Sequence, residues 1–194
     1  MGGRSVSIDP SKFHPINVAD TCAVWNVLSS ARLHAAAKEA HCDFCITSFV
    51  RYECLHKPRT SETPAETELM ARLRREQDRG GFKAHSCDIG DLQAIGLLES
   101  RKKLGKGELS SIAFAAKINQ AVITDDQKAR KLANATRAGL GQTTPHLFAW
   151  LMFKRYLGDS DKATVLSQHR ALDGTLEPHF ERAYELAMAC LLNS

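Results

Sequence analysis

The segment from residue 104 to residue 133 constrains the fold of this chain more than any other, because it combines a helix, a strand and two acids. Residues 108–118 are predicted to form an amphipathic helix, since apolar side chains recur at helical spacing at Leu109, Ile112, Ala113 and Ala116. Residues 121–124 form a short apolar run that is typical of a buried parallel strand. Asp125 and Asp126 follow immediately, ahead of a basic helix. Ligands of open parallel sheets bind at this carboxyl end of the strands.

The rest of the chain repeats this alternation of strands and helices. Further strands are predicted at residues 15–19, 44–47 and 82–87. Between them we expect helices at residues 21–40, from a Ser48 cap to 56, at 61–78, and from an Asp88 or Asp91 cap to 103. Three more helices are predicted at residues 145–157, 161–171 and 178–192. Such alternation predicts an α/β fold built on a parallel sheet.

The composition of the 194 residues indicates one ordinary globular domain, with 43% hydrophobic residues and a formal net charge of +4. We expect residues 1–14 to be a loose leader, residues 15–157 to form the main domain, and residues 158–194 to be a helical extension packed on it. No apolar run is long enough to span a membrane, and the first residues lack the apolar core of a signal peptide. We therefore expect a cytoplasmic protein without a membrane partner.

Several well-known kinds of site are not predicted. The glycines of Gly105-Lys106-Gly107-Glu108 match neither phosphate-binding glycine motif, so a nucleotide cofactor is not expected. The sequence also lacks the G-x-S-x-G element of serine hydrolases. Cys42 and Cys45 form a lone C-x-x-C with no second pair of ligands, so we expect buried, reduced thiols rather than a zinc site.

Acids from four segments are expected at one edge of the predicted sheet. Asp20 ends the first strand, and the pair Asp125 and Asp126 ends a later one. Glu53 lies in the helix after the second strand, and Glu108 opens the helix before the last acids. Each acid also has a purely structural interpretation, since Asp is a common helix cap and Glu is favoured in a first turn. Together, however, these carboxylates would repel one another unless a hard cation such as Mg²⁺ or Mn²⁺ neutralised them.

Four stretches of sequence carry a resemblance to a known family. They are residues 17–21 (Asn-Val-Ala-Asp-Thr), Tyr52-Glu53, residues 107–113 (Gly-Glu-Leu-Ser-Ser-Ile-Ala) and residues 122–130 (Val-Ile-Thr-Asp-Asp-Gln-Lys-Ala-Arg). This pattern resembles the PIN-like domain ribonucleases, and in particular the branch found in toxins of toxin–antitoxin pairs. The resemblance covers residues 15–157. It implies a three-layer α/β/α fold with a parallel sheet of four or five strands, followed here by additional C-terminal helices.

The resemblance also implies an activity and a set of site residues. It implies an Mg²⁺- or Mn²⁺-dependent endoribonuclease that hydrolyses RNA phosphodiester bonds. Asp20, Glu53, Glu108 and Asp126 would be the catalytic metal ligands, and Asp125 would be a further candidate metal ligand next to Asp126. Family members frequently have Asp where Glu108 stands. Thr143 matches a family threonine or serine only loosely. We expect RNA contacts from Thr143 and from six basic residues, namely Arg101, Lys102, Lys103, Lys106, Lys128 and Arg130.

The resemblance is compatible with more than one biological role. The chain is expected to be the toxin of a toxin–antitoxin pair or a related defence effector, with an antitoxin protein as a partner. One alternative is a housekeeping RNA-processing nuclease, and another is a PIN-like module that binds RNA or protein without cleaving. The apolar residues Phe148 and 150–153 are predicted to be core or a homodimer surface, and secondarily a groove for an antitoxin.

Overall fold

Short buried strands and capped helices alternate along the chain, as the hydrophobic pattern predicts. The computed structural model describes residues 8–88, 90, 91, 93, 94, 96, 104–137, 139 and 141–193. Within them the strands are β1 (Ile16–Ala19), β2 (Asp43–Thr47), β3 (Lys83–His85), β4 (Ala121–Ile123) and β5 (Gly141–Gln142). The helices are α1 (Thr21–Ser29), α2 (Ala31–Glu39), α3 (Ser48–Leu55), α4 (Pro64–Asp78), α5 (Lys106–Lys117), α6 (Gln127–Thr136), α7 (Thr144–Phe153), α8 (Asp159–Ala171) and α9 (Glu177–Leu192).

The five strands form one parallel sheet in the order β3–β2–β1–β4–β5. Val18 and Val122 point to one face, where they join the apolar cluster of α5 and α6. Their neighbours Ala19 and Ile123 point to the other face, toward the cluster that contains α1, α2, α4 and the C-terminal helices. The predicted three-layer α/β/α architecture is therefore confirmed, with five strands in the sheet.

Helix caps explain two differences from the sequence-based boundaries. The helix predicted at residues 21–40 is two helices, because Ser30 adopts an extended conformation and its hydroxyl accepts the N–H of Leu33 at 3.1 Å, which starts α2. The cap of α3 is Thr47 rather than Ser48, since the Thr47 hydroxyl accepts the N–H of Val50 at 3.3 Å. Ser48, directly after Thr47, is also a residue type that commonly caps helices, so the sequence alone did not distinguish the two.

The segment expected to be a loose leader makes several contacts from residue 8 onward. The Phe13 ring lies 5.4 Å from the ring of Trp150 and 5.3 Å from that of His146, on α7. The N–H of His14 donates to the side-chain carbonyl of Gln142, at the end of β5, at 2.7 Å. These contacts hold the chain before β1 against α7 and the edge of the sheet.

The C-terminal helices pack closely on the preceding elements. The rings of Phe148 and Phe180 meet edge-to-face at 5.3 Å between α7 and α9. Phe148, Leu151 and Met152 of the predicted apolar patch are therefore core, while Trp150 and Phe153 are half-buried. Arg32 binds Asp161 through Nε at 2.8 Å, which joins α2 to α8. None of the helices formed by the described residues combines the length and apolar character needed to cross a membrane.

The six cysteines are free thiols, and Cys42 is buried as predicted. Cys45 is only half-buried, at the margin of the apolar cluster that contains α5 and α6. The expectation that both thiols are buried is therefore wrong for Cys45.

Candidate functional site

Asp20 is the most enclosed acid at the carboxyl edge of the sheet. It follows β1, caps α1 by accepting the N–H of Ala23 on Oδ1 at 2.8 Å, and is fully buried. The Cys22 thiol also donates to Oδ1, at 3.1 Å, while Oδ2 has no hydrogen-bond partner. Burial raises the pKa of Asp20 to about 7, against smaller lowering contributions from the Thr124 hydroxyl and the N–H of Ala23. A buried carboxylate oxygen without a partner is energetically costly.

Asp125 follows β4 and has a saturated carboxylate. Its Oδ1 accepts the N–H of Thr144 at 2.8 Å, and its Oδ2 accepts the Asn26 amide at 2.8 Å and the Thr144 hydroxyl at 2.6 Å. Burial raises the pKa of Asp125, while the hydrogen bonds from Thr144 and Asn26 lower it. The side chain thus ties β4 to α1 and α7, which is a positioning role more than that of a free ligand.

Asp126, the next residue, is oriented differently. It caps α6 by accepting the N–H of Ala129 on Oδ1 at 2.7 Å, and it is half-exposed. Its Oδ2 accepts no hydrogen bond from any residue that the structure describes. Of the two aspartates, Asp126 therefore has the carboxylate oxygen that is more available to a ligand.

Glu53 links the beginnings of two helices at the same edge. Its carboxylate accepts the Thr21 hydroxyl at 2.5 Å and the N–H of Gly107 at 3.1 Å. A Cβ added to Gly107 would lie 2.8 Å from Cδ of Glu53, so the flexible end of the Glu53 side chain would have to move away from it. The close approach of α5 to Glu53 therefore depends on glycine at this position.

Glu108 lies in the first turn of α5, next to Gly107. Its Oε2 accepts the N–H of Gly105 at 2.7 Å, which satisfies a free donor at the start of the helix. Its pKa is raised, first by burial and then by the negative charges of Asp126 and Glu53, whereas Lys128 lowers it. Glu108 therefore lies close enough to Asp126, Glu53 and Lys128 for their charges to change its pKa.

The acids gather at one edge without forming a complete ligand set. Among the described residues, no group of three or more His, Cys, Asp or Glu side chains is close enough to hold a metal ion. The donor chemistry nevertheless fits a hard divalent cation, since the groups are carboxylates and Asp20 Oδ2 is buried without a partner. Glu53 and Glu108 use their oxygens to cap helix starts in this conformation, so both would have to reorient to join Asp20.

The residues predicted to contact RNA have different environments. Lys106 and Lys128 are exposed near Glu108, and Arg130 is half-buried in α6. Thr143 is buried, and its hydroxyl caps α7 by accepting the N–H of His146 at 3.2 Å, so its side chain is engaged in the fold. Arg101, Lys102 and Lys103 lie outside the described residues.

Sequence reasoning missed the residues that hold the acids in place. Thr21, Asn26 and Thr144 each donate a side-chain hydrogen bond to one of the acids. Thr21 was visible as part of the motif around Asp20, but Asn26 and Thr144 carry no local signal that pairs them with Asp125. Their roles follow from the neighbouring positions of β1, β4 and β5 in the sheet.

Comparison of the chain with protein-family models, with curated proteins and with solved structures finds no match. The function must therefore be argued from the residues at the sheet edge themselves.

Proposed function

We propose that this chain is a PIN-like, Mg²⁺- or Mn²⁺-dependent endoribonuclease. The observation that carries the proposal is the Asp20 carboxylate, which is fully buried at the carboxyl end of β1 with one oxygen unpartnered. A charged group in this position is expected to be stabilised by a bound cation. The raised pKa of Glu108, caused by burial and by Asp126 and Glu53, supports the same electrostatic requirement nearby.

The proposed roles follow from the free oxygens and the contacts of each acid. Asp20, Glu108 and Asp126 would hold the cation, with Glu53 completing the set after leaving the backbone of Gly107. The bound cation would supply a water of lowered pKa and a positive charge for the phosphodiester oxygens. Asp125 is a positioning residue in this scheme, since it fixes Asn26 and Thr144 behind the ligands.

One observation favours a second candidate, a PIN-like module that binds RNA or protein without cleaving. Each of the five acids has a structural hydrogen bond, and the described residues hold no three-ligand group. Helix caps alone would account for Asp20, Glu108 and Asp126. The two candidates differ in whether removing a carboxylate changes a chemical rate.

Cleavage of total RNA with added Mn²⁺ or Mg²⁺ tests the proposal. We expect cleavage by the wild type that EDTA abolishes, and loss of cleavage in Asp20→Asn and Glu108→Gln. Asp43→Asn is the matched control, because Asp43 is an exposed carboxylate at the opposite end of β2. Equal cleavage by all four proteins would assign the activity to a contaminant and favour the non-catalytic module.

The toxin role is a separate part of the proposal and has its own test. A ribonuclease toxin requires an inhibited state, and an antitoxin segment carrying Arg or Lys would match the carboxylates at the sheet edge. Expression of the chain alone should then arrest growth, and Glu108→Gln should relieve the arrest at equal levels of folded protein. If both proteins are harmless while the wild type cleaves RNA, the housekeeping nuclease becomes the better description.

A further inference from the structure

A second feature lies beside the acids, in a cleft of about 590 Å³ between α6 and α9. Three basic side chains line it, Arg130 from α6 and His179 and Arg182 from α9. Asp125 also lines it, and Pro145 and Leu186 contribute apolar surface. The cleft thus connects the C-terminal helix to the carboxyl edge of the sheet.

Among the described residues, no acid forms an ion pair within 4 Å with either arginine of this cleft, although the charge of Arg130 lowers the pKa of Asp125. Arg130 is half-buried and Arg182 is exposed, whereas the half-buried Arg32 and Arg72 form ion pairs with Asp161 and Glu68. Within the part of the chain that the structure describes, neither Arg130 nor Arg182 forms an ion pair or a side-chain hydrogen bond. Their guanidinium donors are therefore available to a ligand.

Asp125 offsets only one of these two charges, through its interaction with Arg130. Both of its oxygens already accept hydrogen bonds from Thr144 and Asn26. Two arginines face one acid, so the cleft has a net positive charge even with His179 neutral. Guanidinium groups bind phosphate oxygens through two parallel hydrogen bonds, and apolar walls strengthen such contacts by excluding water.

We propose that the cleft between α6 and α9 binds a phosphate group of an RNA backbone and so holds the strand next to the carboxylate edge. Arg130 and Arg182 would each bind phosphate oxygens, and His179 would add a third donor. This inference rests on the proposed function for the identity of the polymer. It assigns substrate binding to α9, which lies outside the part of the chain that resembles PIN-like domains.

Binding of a fluorescein-labelled single-stranded oligoribonucleotide in EDTA measures this contact without cleavage. We expect Arg182→Gln and Arg130→Gln each to weaken binding about tenfold. Each substitution should also make the slope of log affinity against log salt less steep by about 0.7, the value for one lost phosphate contact to a single strand. Arg182→Lys should retain the salt slope and bind with intermediate affinity. Lysine keeps the positive charge but cannot form the two parallel hydrogen bonds of a guanidinium group.

Arg74→Gln is the matched control, since Arg74 is exposed on α4 and lies outside the cleft. The proposal is overturned if Arg182→Gln, folded by circular dichroism, binds RNA with the same affinity and salt slope as Arg74→Gln. Inorganic phosphate should compete with the oligoribonucleotide for the wild type but not for the double variant of Arg130 and Arg182. Failure of the nuclease proposal alone would give another result. The wild type would then bind RNA through Arg130 and Arg182 but would not cleave it with added Mg²⁺ or Mn²⁺.

Discussion

The carboxylate of Glu53 lies against the backbone of Gly107, whose N–H it accepts at 3.1 Å. This contact brings α3 and the start of α5 together at the edge where β1 and β4 end. Gly107 precedes Glu108, so a single backbone approach positions two of the proposed ligands. The glycine of the glycine–glutamate pair therefore leaves room for the Glu53 carboxylate against the backbone of α5.

Gly107→Ala should displace Glu53 from the backbone of Gly107 and leave cleavage intact. The added methyl group collides with the flexible end of the Glu53 side chain, so we expect a loss of at most about 1 kcal/mol in the free energy of unfolding, and cleavage equal to or above that of the wild type, because Glu53 must leave this position to join the cation. Gly105→Ala is the control, because its Cβ would lie 3.5 Å from the nearest atom, an ordinary contact. A fall in cleavage of about tenfold or more in Gly107→Ala alone would show that Glu53 acts from its place against Gly107.

Asp20→Asn should stabilise the protein in EDTA at neutral and higher pH. The folded pKa of about 7 lies above the ordinary value of 3.8, so the folded state holds more protons between these values. The contribution of Asp20 to stability is therefore full below about pH 3.8 and is lost as the pH rises through 7. Asparagine caps helices as well as aspartate does and carries no charge.

The expected gain for Asp20→Asn is about 1–3 kcal/mol at pH 8, measured by urea unfolding. Asp43→Asn should show no comparable gain, since Asp43 is exposed. A large loss of stability in Asp20→Asn with cleavage retained would make Asp20 a structural cap only.

A divalent cation should stabilise the wild type in proportion to its binding. Mn²⁺ at about 100 times its dissociation constant adds about 2.7 kcal/mol when one site binds only the folded state. We expect a saturable rise in the melting temperature for the wild type and for Asp43→Asn, and none for Asp20→Asn. An equal rise in all three proteins would place the cation elsewhere on the surface.

Acid should weaken the attachment of α8 through His169. This buried histidine contacts the Ser29 hydroxyl through Nδ1 at 2.6 Å and accepts the N–H of Leu176 on Nε2 at 3.0 Å, so the ring is neutral. Burial lowers its pKa from 6.5, and the stability that it contributes is present above that pH and lost as the pH falls below it. His169→Gln should therefore reduce the dependence of stability on pH between about pH 5 and 7.

The size of this effect is expected to be about 1 kcal/mol, measured by chemical unfolding at each pH. His34 and His146 also have pKa values lowered by burial and should retain their share of the dependence in the variant. An unchanged pH profile in His169→Gln would show that protonation of His169 does not destabilise the fold.

The sequence by itself determined the alternation of strands and helices and the segments whose acids stand at the strand ends. Apolar spacing reports burial within a few residues, and caps such as Thr63 with Glu66 are complete within one turn, so both can be predicted locally. The break at Ser30 and the choice of Thr47 over Ser48 were missed, because neighbouring polar residues offer equivalent caps and packing decides between them.

Only the tertiary structure decided what each acid does. Asp125 and Asp126 are equivalent in the sequence, but Asp125 is saturated by Asn26 and Thr144 while Asp126 keeps an oxygen free. The partners of Asp125 come from α1 and α7. These helices lie next to β4 because they follow β1 and β5, the two strands that flank β4 in the sheet. The presence of Arg130 and Arg182 in the lining of one cleft depends likewise on how α9 packs against α7. Such contacts join residues far apart in the chain, and their geometry is set by strand order and helix packing rather than by local pattern.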